Sequence, residues 1–214
     1  MQIQPHTFRP ADLVGGHVVL DLVNTVTARN ADPIDWLDSY ARALEWAALT
    51  GHFDRRVLAR LEQVRTAEPA AGRRALRRLR DLRETVRGVL EPTIRNDAVP
   101  EQALHRFEGL WKAAASRTRL AFPDGRARLE RDVESSRLDY LAEELALCAL
   151  ELLQTFPPAR TRICAGTSCG WIFIDRSRGG RRRWCDMATC GNAAKSRRHY
   201  ERKHPWTKRP SRRS

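Results

Sequence analysis

The chain has 214 residues, enough for one ordinary domain and one small appendage. Lys and Arg number 39 against 26 Asp and Glu, so the formal net charge is +13 at pH 7. The longest uninterrupted apolar run, residues 145–150, is short, and the N-terminus lacks a charged start followed by an apolar core and a small-residue cleavage site. These features argue against an export signal, so we expect a cytoplasmic protein.

Residues 15–25 form an apolar run near the N-terminus. We expect this run to be a short strand that passes into a helix or a turn. Asp21, Asn24 and Thr25 interrupt this run, so we expect their side chains to be partly buried and to need a partner. Because Asx and Thr side chains commonly bond nearby backbone, we favour local backbone partners. Asp21 and Asn24 are kept as candidate ligand-binding residues.

Helical periodicity dominates the chain up to about residue 155. Asp32-Pro33 is typical of a helix cap with proline at the first helical position. Residues 118–122 and 126–133 flank Pro123-Asp124-Gly125 and predict one small β-hairpin. The apolar faces that predict helices are Leu37, Tyr40, Leu44 and Ala47; Val57, Leu58, Leu61 and Val64; Leu76, Leu79, Val86 and Leu90; and Leu104, Phe107 and Trp111.

One more helical face holds Leu141, Leu145, Cys148 and Leu152. We interpret Cys148 as a small core residue without a chemical role. Pro157-Pro158 follows this helix and marks the predicted junction with a second unit.

Four cysteines in that second unit form two C-x4-C pairs separated by fifteen residues: Cys164, Cys169, Cys185 and Cys190. Each pair is followed at once by glycine, which suits a tight turn that points N–H groups at sulfur. Disulfides and unrelated buried thiols are the alternatives, and a reducing cytosol disfavours disulfides. The spacing predicts one Zn²⁺ with four thiolate ligands. Such a closed site has no position for water or substrate, so we expect a structural and not a catalytic metal.

The chain between the two cysteine pairs predicts a hairpin, with strands at residues 171–175 and 181–184 around Gly179-Gly180. Residues 187–204 contain no proline and predict a closing helix with Cys190 in its first turn. A helix N-terminus favours thiolate over thiol.

Trp171 and Trp184 invite a base-stacking hypothesis, but we expect them to cap the small zinc core. His199 and His204 are expected at the surface and not as metal ligands. Because the four-cysteine unit is short and can bury little apolar core, its folding is expected to depend on the metal.

The positive charge is confined to this unit and the tail beyond it. Residues 160–214 hold 16 Lys and Arg against 3 Asp and Glu, whereas residues 1–159 hold 23 against 23. A solvated charged face and an anionic membrane are the alternatives, but the block favours a nucleic acid partner. The candidate nucleic-acid-binding residues are Arg176, Arg178, Arg181, Arg182, Arg183, Lys195, Arg198 and Arg202, and the tail adds Lys208, Arg209, Arg212 and Arg213.

Specific residues of this unit resemble the CGNR zinc finger, a bacterial module named for a Cys-Gly-Asn-Arg signature. The sequence has Cys190-Gly191-Asn192 but departs at the fourth letter, where Ala193 replaces arginine. The resemblance extends to Phe173, Asp175, Ser177-Arg178, Arg182-Arg183-Trp184-Cys185 and Lys195.

Residues 16–25, followed by Trp36, Leu37 and the helical stretch, resemble the ABATE domain that commonly precedes this finger. Together the two resemblances span nearly the whole chain. They imply a stress-related transcriptional regulator whose N-terminal domain senses a ligand.

The sequence thus predicts a mainly α (α+β) protein: a helical N-terminal domain with a small β-hairpin, and a C-terminal four-cysteine zinc finger of hairpin and closing helix. We place the ABATE-like domain at residues 1–156, the finger at 160–204 and a basic disordered tail at 205–214. The predicted function is zinc-dependent, DNA-binding transcription regulation by a nucleoid-associated protein with a small-molecule effector.

Two alternatives to that function stay open. One is an RNA-binding or ribosome-associated zinc protein, and the other is a ligand-sensing or protein-interaction adaptor. No constellation of residues supplies a catalytic site, so we predict no enzyme.

Overall fold

The computed structural model describes residues 1–131 and 133–203. The fold class is mainly α with small sheets, as the sequence predicts. The predicted closing helix extends to His204, which together with the predicted basic tail at 205–214 lies outside the described residues. The helices are α1 (Val18–Val23), α2 (Tyr40–Thr50), α3 (Arg55–Ala67), α4 (Pro69–Arg95), α5 (Glu101–Ala115), α6 (Val133–Ser136), α7 (Tyr140–Thr155) and α8 (Asn192–Lys203).

Among the described residues, short strands form three small sheets. The first has the order β1-β3-β2, with β1 parallel and β2 antiparallel to β3, while β4 pairs with β5 and β6 with β7, both antiparallel. The strands are β1 (Gln2–Ile3), β2 (Val26–Thr27), β3 (Ile34–Asp35), β4 (Thr118–Ala121), β5 (Arg128–Arg131), β6 (Thr161–Ile163) and β7 (Ile172–Ile174).

The long helix α4 lies at the centre of the N-terminal part. It begins with Pro69 in its first turn and ends at the left-handed Asn96. Its apolar face, including Leu79 and Leu90, is fully buried and packs against α1, α2, α5 and α7. The periodicity that predicts α3, α4 and α5 is confirmed, because a stripe of apolar residues at helical spacing must find a core.

The predicted β-hairpin is confirmed over residues 118–131, whereas Val133, predicted as the end of its second strand, begins helix α6. Thr118 pairs with Arg131 and Ala121 with Arg128, across a turn at Pro123–Gly125. Asp124 and Gly125 adopt positive φ angles of 56° and 72°, which Asp tolerates and glycine accepts readily.

The prediction for residues 15–25 is wrong in its order of elements. The segment begins with helix α1, capped by the His17 side chain, and only then continues into strand β2. A short apolar run cannot be assigned to helix or strand by periodicity alone. Burial of Val19, Leu20, Leu22 and Val23 in the core fits the helix here.

The predicted helix cap at Asp32-Pro33 is also wrong. Strand β3 follows Pro33, and α2 begins at Tyr40 after Ser39, whose side chain accepts a hydrogen bond from the Arg42 N–H. Asp35 explains the difference, because it is fully buried in β3 and accepts two 2.7 Å hydrogen bonds from the Arg83 guanidinium.

The hairpin of the finger uses a different partner strand from the one predicted. Strand β7 pairs with β6, which precedes Cys164, with Thr161 opposite Ile174 and Ile163 opposite Ile172. Residues 181–184 form no strand. Asp175 bends the chain away after β7, because its carboxylate accepts hydrogen bonds from the N–H groups of Ser177 and Arg182.

Within the described residues, no helix is both long and apolar enough to cross a membrane.

Candidate metal centre and basic surface

The four cysteine sulfurs converge at one point beside β7. All four Sγ atoms lie within 4.8 Å of one another, and the Sγ atoms of Cys169 and Cys190 each lie 3.8 Å from that of Cys185. A tetrahedral Zn²⁺ with bonds of about 2.3 Å separates its sulfur ligands by about 3.8 Å. Cys164, Cys169 and Cys185 are buried and Cys190 is half-buried. The donor set and its spacing therefore fit one zinc ion with a closed coordination shell.

Backbone groups hold the cluster in place. Cys164 follows β6, and its Sγ accepts hydrogen bonds from the N–H groups of Gly166 at 3.4 Å and Cys185 at 3.3 Å. A Cβ atom at Gly166 would lie 3.1 Å from the Cys190 sulfur, so a side chain would crowd the site there. After the first pair, Gly170 takes a positive φ of 70° in a tight turn, as expected, and the Trp171 N–H beyond it bonds the Cys169 sulfur.

The thiols share protons unequally without a cation. Hydrogen bonds from the thiols of Cys169 and Cys185 lower the pKa of Cys164, and the corresponding bonds to Cys164 raise the pKa of Cys169 and Cys185. Four thiolates at this separation repel one another. The cluster therefore needs a cation before all four sulfurs can ionise.

Trp171 and Phe173 pack against the cysteines, as the sequence predicts for the first of them. Trp171 is buried, its indole N–H donates to the Val26 carbonyl at 3.1 Å, and its ring meets Trp36 edge to face at 5.5 Å. Trp184 is half-buried against the same small core. Core packing is confirmed for Trp171, and its hydrogen bond reaches across to the N-terminal part.

Asn24 joins the N-terminal part to the finger. Its side chain is 2% exposed, donates to the Ile172 carbonyl at 2.9 Å and accepts from the Ile172 N–H at 2.9 Å. Asp21 accepts a 2.8 Å hydrogen bond from the Gly15 N–H, and burial raises the pKa of Asp21 to about 6. Both side chains thus have backbone partners, and a ligand contact at either stays an untested prediction.

A second set of contacts lies on the turn between Cys164 and Cys169. The N–H groups of Arg29 and Asn30 donate to the carbonyls of Cys169 and Ser168 at 2.9 and 3.1 Å. Arg87 on α4 donates to the Gly170 carbonyl at 3.1 Å. Sequence reasoning missed Arg29, Asn30 and Arg87, because their partners lie far along the chain and no local pattern marks them.

The finger therefore packs on the helical part over a shared core. Ile172 is fully buried in the same apolar cluster as α1, α4 and α7. The Ile174 N–H donates to the Gly15 carbonyl at 2.9 Å, which continues the contact beyond Asn24. The expectation that so short a segment buries little core needs correction, because the helical part supplies part of that core.

Helix α8 begins at Asn192, two residues after Cys190, which lies in the preceding helical turn at Met187–Gly191. The Asp186 side chain caps this turn by accepting from the Thr189 N–H at 2.8 Å. No residue of Asn192–Lys203 is buried. Lys195, Arg198 and Arg202 are exposed at spacings of three and four, so they share one face of the helix.

The five candidate arginines between the cysteine pairs divide into two groups. Arg178, Arg181 and Arg183 are exposed. Arg182 is half-buried, donates to the Cys185 carbonyl and lies 4.8 Å from the centre of the Phe173 ring. Arg176 is exposed but donates to the Gly16 carbonyl at 2.6 Å. Arg182 thus braces the finger, which the charge pattern alone does not reveal.

Cys148 is buried on α7, as predicted. Burial raises the pKa of its thiol to about 11. Its sulfur lies close to His52 and Glu144, two residues that the sequence analysis did not single out.

A helical domain joined to a four-cysteine centre defines the class of a zinc-finger protein. A family model of the CGNR zinc finger matches residues 160–203. The model of the ABATE family, described as a "putative stress-induced transcription regulator", matches residues 16–155, which is almost two thirds of the chain. The chain belongs to the ABATE family and carries a CGNR zinc finger after that domain. No curated protein matches it.

Proposed function

We propose that this protein is a zinc-dependent DNA-binding transcription regulator whose finger contacts the phosphate backbone through α8. The supporting observation is helix α8, in which no residue is buried and only Ala194 is half-buried, and which carries Lys195, Arg198 and Arg202 on one face. A surface helix normally buries an apolar stripe in its own domain. A helix that buries none and carries clustered cations is suited to an anionic partner.

One Zn²⁺ held by Cys164, Cys169, Cys185 and Cys190 is the structural element of this proposal. The zinc has a structural role, because its four ligands fix the end of β6, the turn before Trp171 and the turn before α8 relative to one another. With four protein ligands no position remains for water, so the metal has no catalytic role here. Cys190 is the ligand that fixes the start of α8.

The exposed cations supply the phosphate contacts. Lys195, Arg198 and Arg202 form one group, and Arg178, Arg181 and Arg183 form the second. Arg176 and Arg182 contribute positive potential while their guanidinium groups bond protein carbonyls. Ala193 at the start of α8 makes no such contact. About six phosphate contacts give log affinity a slope near −5 against log salt.

The domain division of this proposal is residues 1–156 for the ABATE domain, 160–204 for the finger and 205–214 for a basic arm. The ABATE domain touches the finger through Asn24 and Arg87, so an effector that moves α1 or α4 would shift the finger. A cavity of about 250 Å³ lies between α4, α5 and α7, which is slightly below the usual size of ligand pockets and offers room only for a very small effector. Its wall includes Glu143, whose buried Oε2 has no hydrogen-bond partner.

The test is a salt-titrated binding assay of full-length, zinc-loaded protein on random duplex DNA. We expect a slope near −5 and at least a ~100-fold loss of affinity after chelation, because α8 loses its anchor at Cys190. A weak slope, or unchanged binding by demonstrably metal-free protein, would contradict the proposal. Structured RNA as competitor at matched salt separates the RNA-binding alternative: a stronger preference for RNA would replace DNA as the partner. If the protein binds chromosomal DNA as proposed, it is associated with the nucleoid.

A further inference from the structure

A second group of metal-ligating side chains lies away from the finger cysteines. Glu144 and Cys148 stand four residues apart on α7 and so point to one side of that helix. His52 reaches them from the end of α2, just after Gly51, whose φ of 67° turns the chain out of the helix. The potential ligand atoms of the three residues all lie within 4.8 Å of one another.

The distances in this group match those of three corners of a metal tetrahedron. Cys148 Sγ lies 3.5 Å from His52 Nε2 and 3.6 Å from Glu144 Oε1, and His52 Nε2 lies 3.2 Å from Glu144 Oε1. Zinc bonds of about 2.3 Å to sulfur and 2.1 Å to nitrogen and oxygen separate such ligands by about 3.6, 3.6 and 3.4 Å. The side chains therefore need little movement to accept an ion.

The Glu144 carboxylate is oriented from outside the group. Arg131 forms an ion pair with Oε2, while Oε1 faces His52 and Cys148. Metal-ligating carboxylates are commonly held by such an outer partner, which fixes the free oxygen toward the ion. The Arg131 side chain is only 9% exposed, so this orientation is part of the packed structure.

We propose that His52 Nε2, Glu144 Oε1 and Cys148 Sγ form a second metal site, which takes a borderline divalent cation such as Zn²⁺. The Cys148 thiolate and the Glu144 carboxylate set two negative charges against the two positive charges of the ion, Arg131 adds one positive charge beside Glu144, and the Cys148 proton leaves to solvent on binding. The His52 side chain is one-third exposed, which gives the ion a route in. Three protein ligands leave a fourth position for water, so this site is open where the finger site is closed.

The competing interpretation is a hydrogen-bonded trio in which the Cys148 thiol donates to Glu144. The same distances suit that arrangement, since hydrogen bonds to sulfur are long. The two interpretations differ in whether a metal replaces the thiol proton. They also differ in metal content, because the trio predicts a single ion per chain, at the finger.

The experiment adds Co²⁺ to full-length protein that already carries one equivalent of Zn²⁺. Metal content after gel filtration and the thiolate-to-cobalt charge-transfer band in the near ultraviolet are measured together. We expect about one cobalt per chain beside a retained zinc, with the band present. His52→Gln and Cys148→Ser should each lose the cobalt and the band while keeping the zinc. His105→Gln, at an exposed histidine on α5, is the matched control and should keep both metals.

His52→Gln keeps the test decisive if Cys148→Ser fails to fold, because His52 is the more exposed of the two. Absence of cobalt from the wild type would overturn the proposal. Cobalt and its band retained in His52→Gln would overturn it as well, since His52 would then not be a ligand. Cobalt gained only as zinc is lost would also overturn it, since that result places the cobalt at the finger cysteines.

Discussion

Helices α4 and α8 are both rich in arginine, but only α4 also buries some of its arginines in ion pairs, beside exposed ones such as Arg73 and Arg77. On α4, Arg83 is fully buried against Asp35, and Arg87 bonds the Gly170 carbonyl and pairs with Glu91. On α8, Lys195, Arg198 and Arg202 are exposed. Residues 1–159 balance their cations with an equal number of acids, whereas residues 160–214 do not. The comparison shows that an arginine with an acidic side chain nearby can form an ion pair that stabilises the fold. An arginine without such a neighbour stays exposed and can bind another molecule.

The largest effect on the α4 side is expected from Asp35→Ala. This change leaves the buried Arg83 guanidinium with only the partly exposed Glu84 carboxylate and also removes the Asp35 partner of Arg80, and breaking a buried pair in this way costs about 3–5 kcal/mol. Urea unfolding of the zinc-loaded full-length protein measures the free energy of unfolding. Asp32→Ala removes an exposed acid three residues earlier and is expected to change it by less than about 0.5 kcal/mol. Equal losses in the free energy of unfolding for the two variants would show that the Asp35–Arg83 ion pair does not stabilise the fold more than an exposed acidic residue does.

A smaller loss is expected from Asn24→Ala, at the contact between the two parts of the molecule. The change leaves both backbone groups of Ile172 without their side-chain partner in a buried position, which costs about 2–4 kcal/mol. Asn30→Ala is the control, because Asn30 is exposed and its side chain makes one 3.3 Å hydrogen bond to Gly166. Unfolding of each variant is followed in urea. A loss for Asn24→Ala no greater than for the control would contradict the docked arrangement of the finger.

The smallest effect, and one of opposite sign, is expected from Asp21→Asn. This carboxyl group accepts a hydrogen bond from the Gly15 N–H and has no arginine partner among the described residues to offset its burial. Burial therefore raises its pKa from 3.8 to about 6. A raised folded pKa stabilises the protonated form, so the contribution of Asp21 to stability is complete below pH 4 and is lost as pH rises through 6. Asn stays neutral and can still accept from the Gly15 N–H.

Asp21→Asn is therefore expected to be more stable than the wild type by about 1–3 kcal/mol at pH 7, with a smaller difference at pH 4. The measurement is the free energy of unfolding of both proteins at each pH. Because both carry the same finger, loss of zinc in acid affects them alike. A difference that does not change with pH would rule out titration of Asp21 as its source.

Local patterns carry the parts of this structure that the sequence predicts correctly. The cysteine spacing predicts the convergence of four sulfurs, and helical periodicity predicts α3, α4 and α5 because each apolar stripe is complete within its own segment. Strand β3 escapes prediction, since the partner of Asp35 is Arg83 on α4. The contact between Asn24 and Ile172 joins residues 148 positions apart, so no local pattern marks it.

The finger shows the same limit at shorter range. The Gly179-Gly180 turn predicts a second strand at residues 181–184, yet β7 takes β6 as its partner because the Asp175 carboxylate turns the chain by bonding the N–H groups of Ser177 and Arg182. Charge alone likewise cannot separate Arg182, which braces Phe173, from Arg181, which is exposed. Such distinctions depend on which carbonyls and rings the fold brings within reach.

The most direct test of the account compares two triple variants that lose the same charge. One is Lys195→Ala, Arg198→Ala and Arg202→Ala on α8, and the other replaces three exposed arginines of the helical domain, Arg55, Arg73 and Arg77, by alanine. The salt dependence of binding to random duplex DNA is measured for both and for the wild type.

The account predicts that the α8 variant has a slope shallower by about 2.7 and that the control keeps the wild-type slope. Equal changes in the two variants would contradict it, because binding would then follow net charge and not the exposed face of α8.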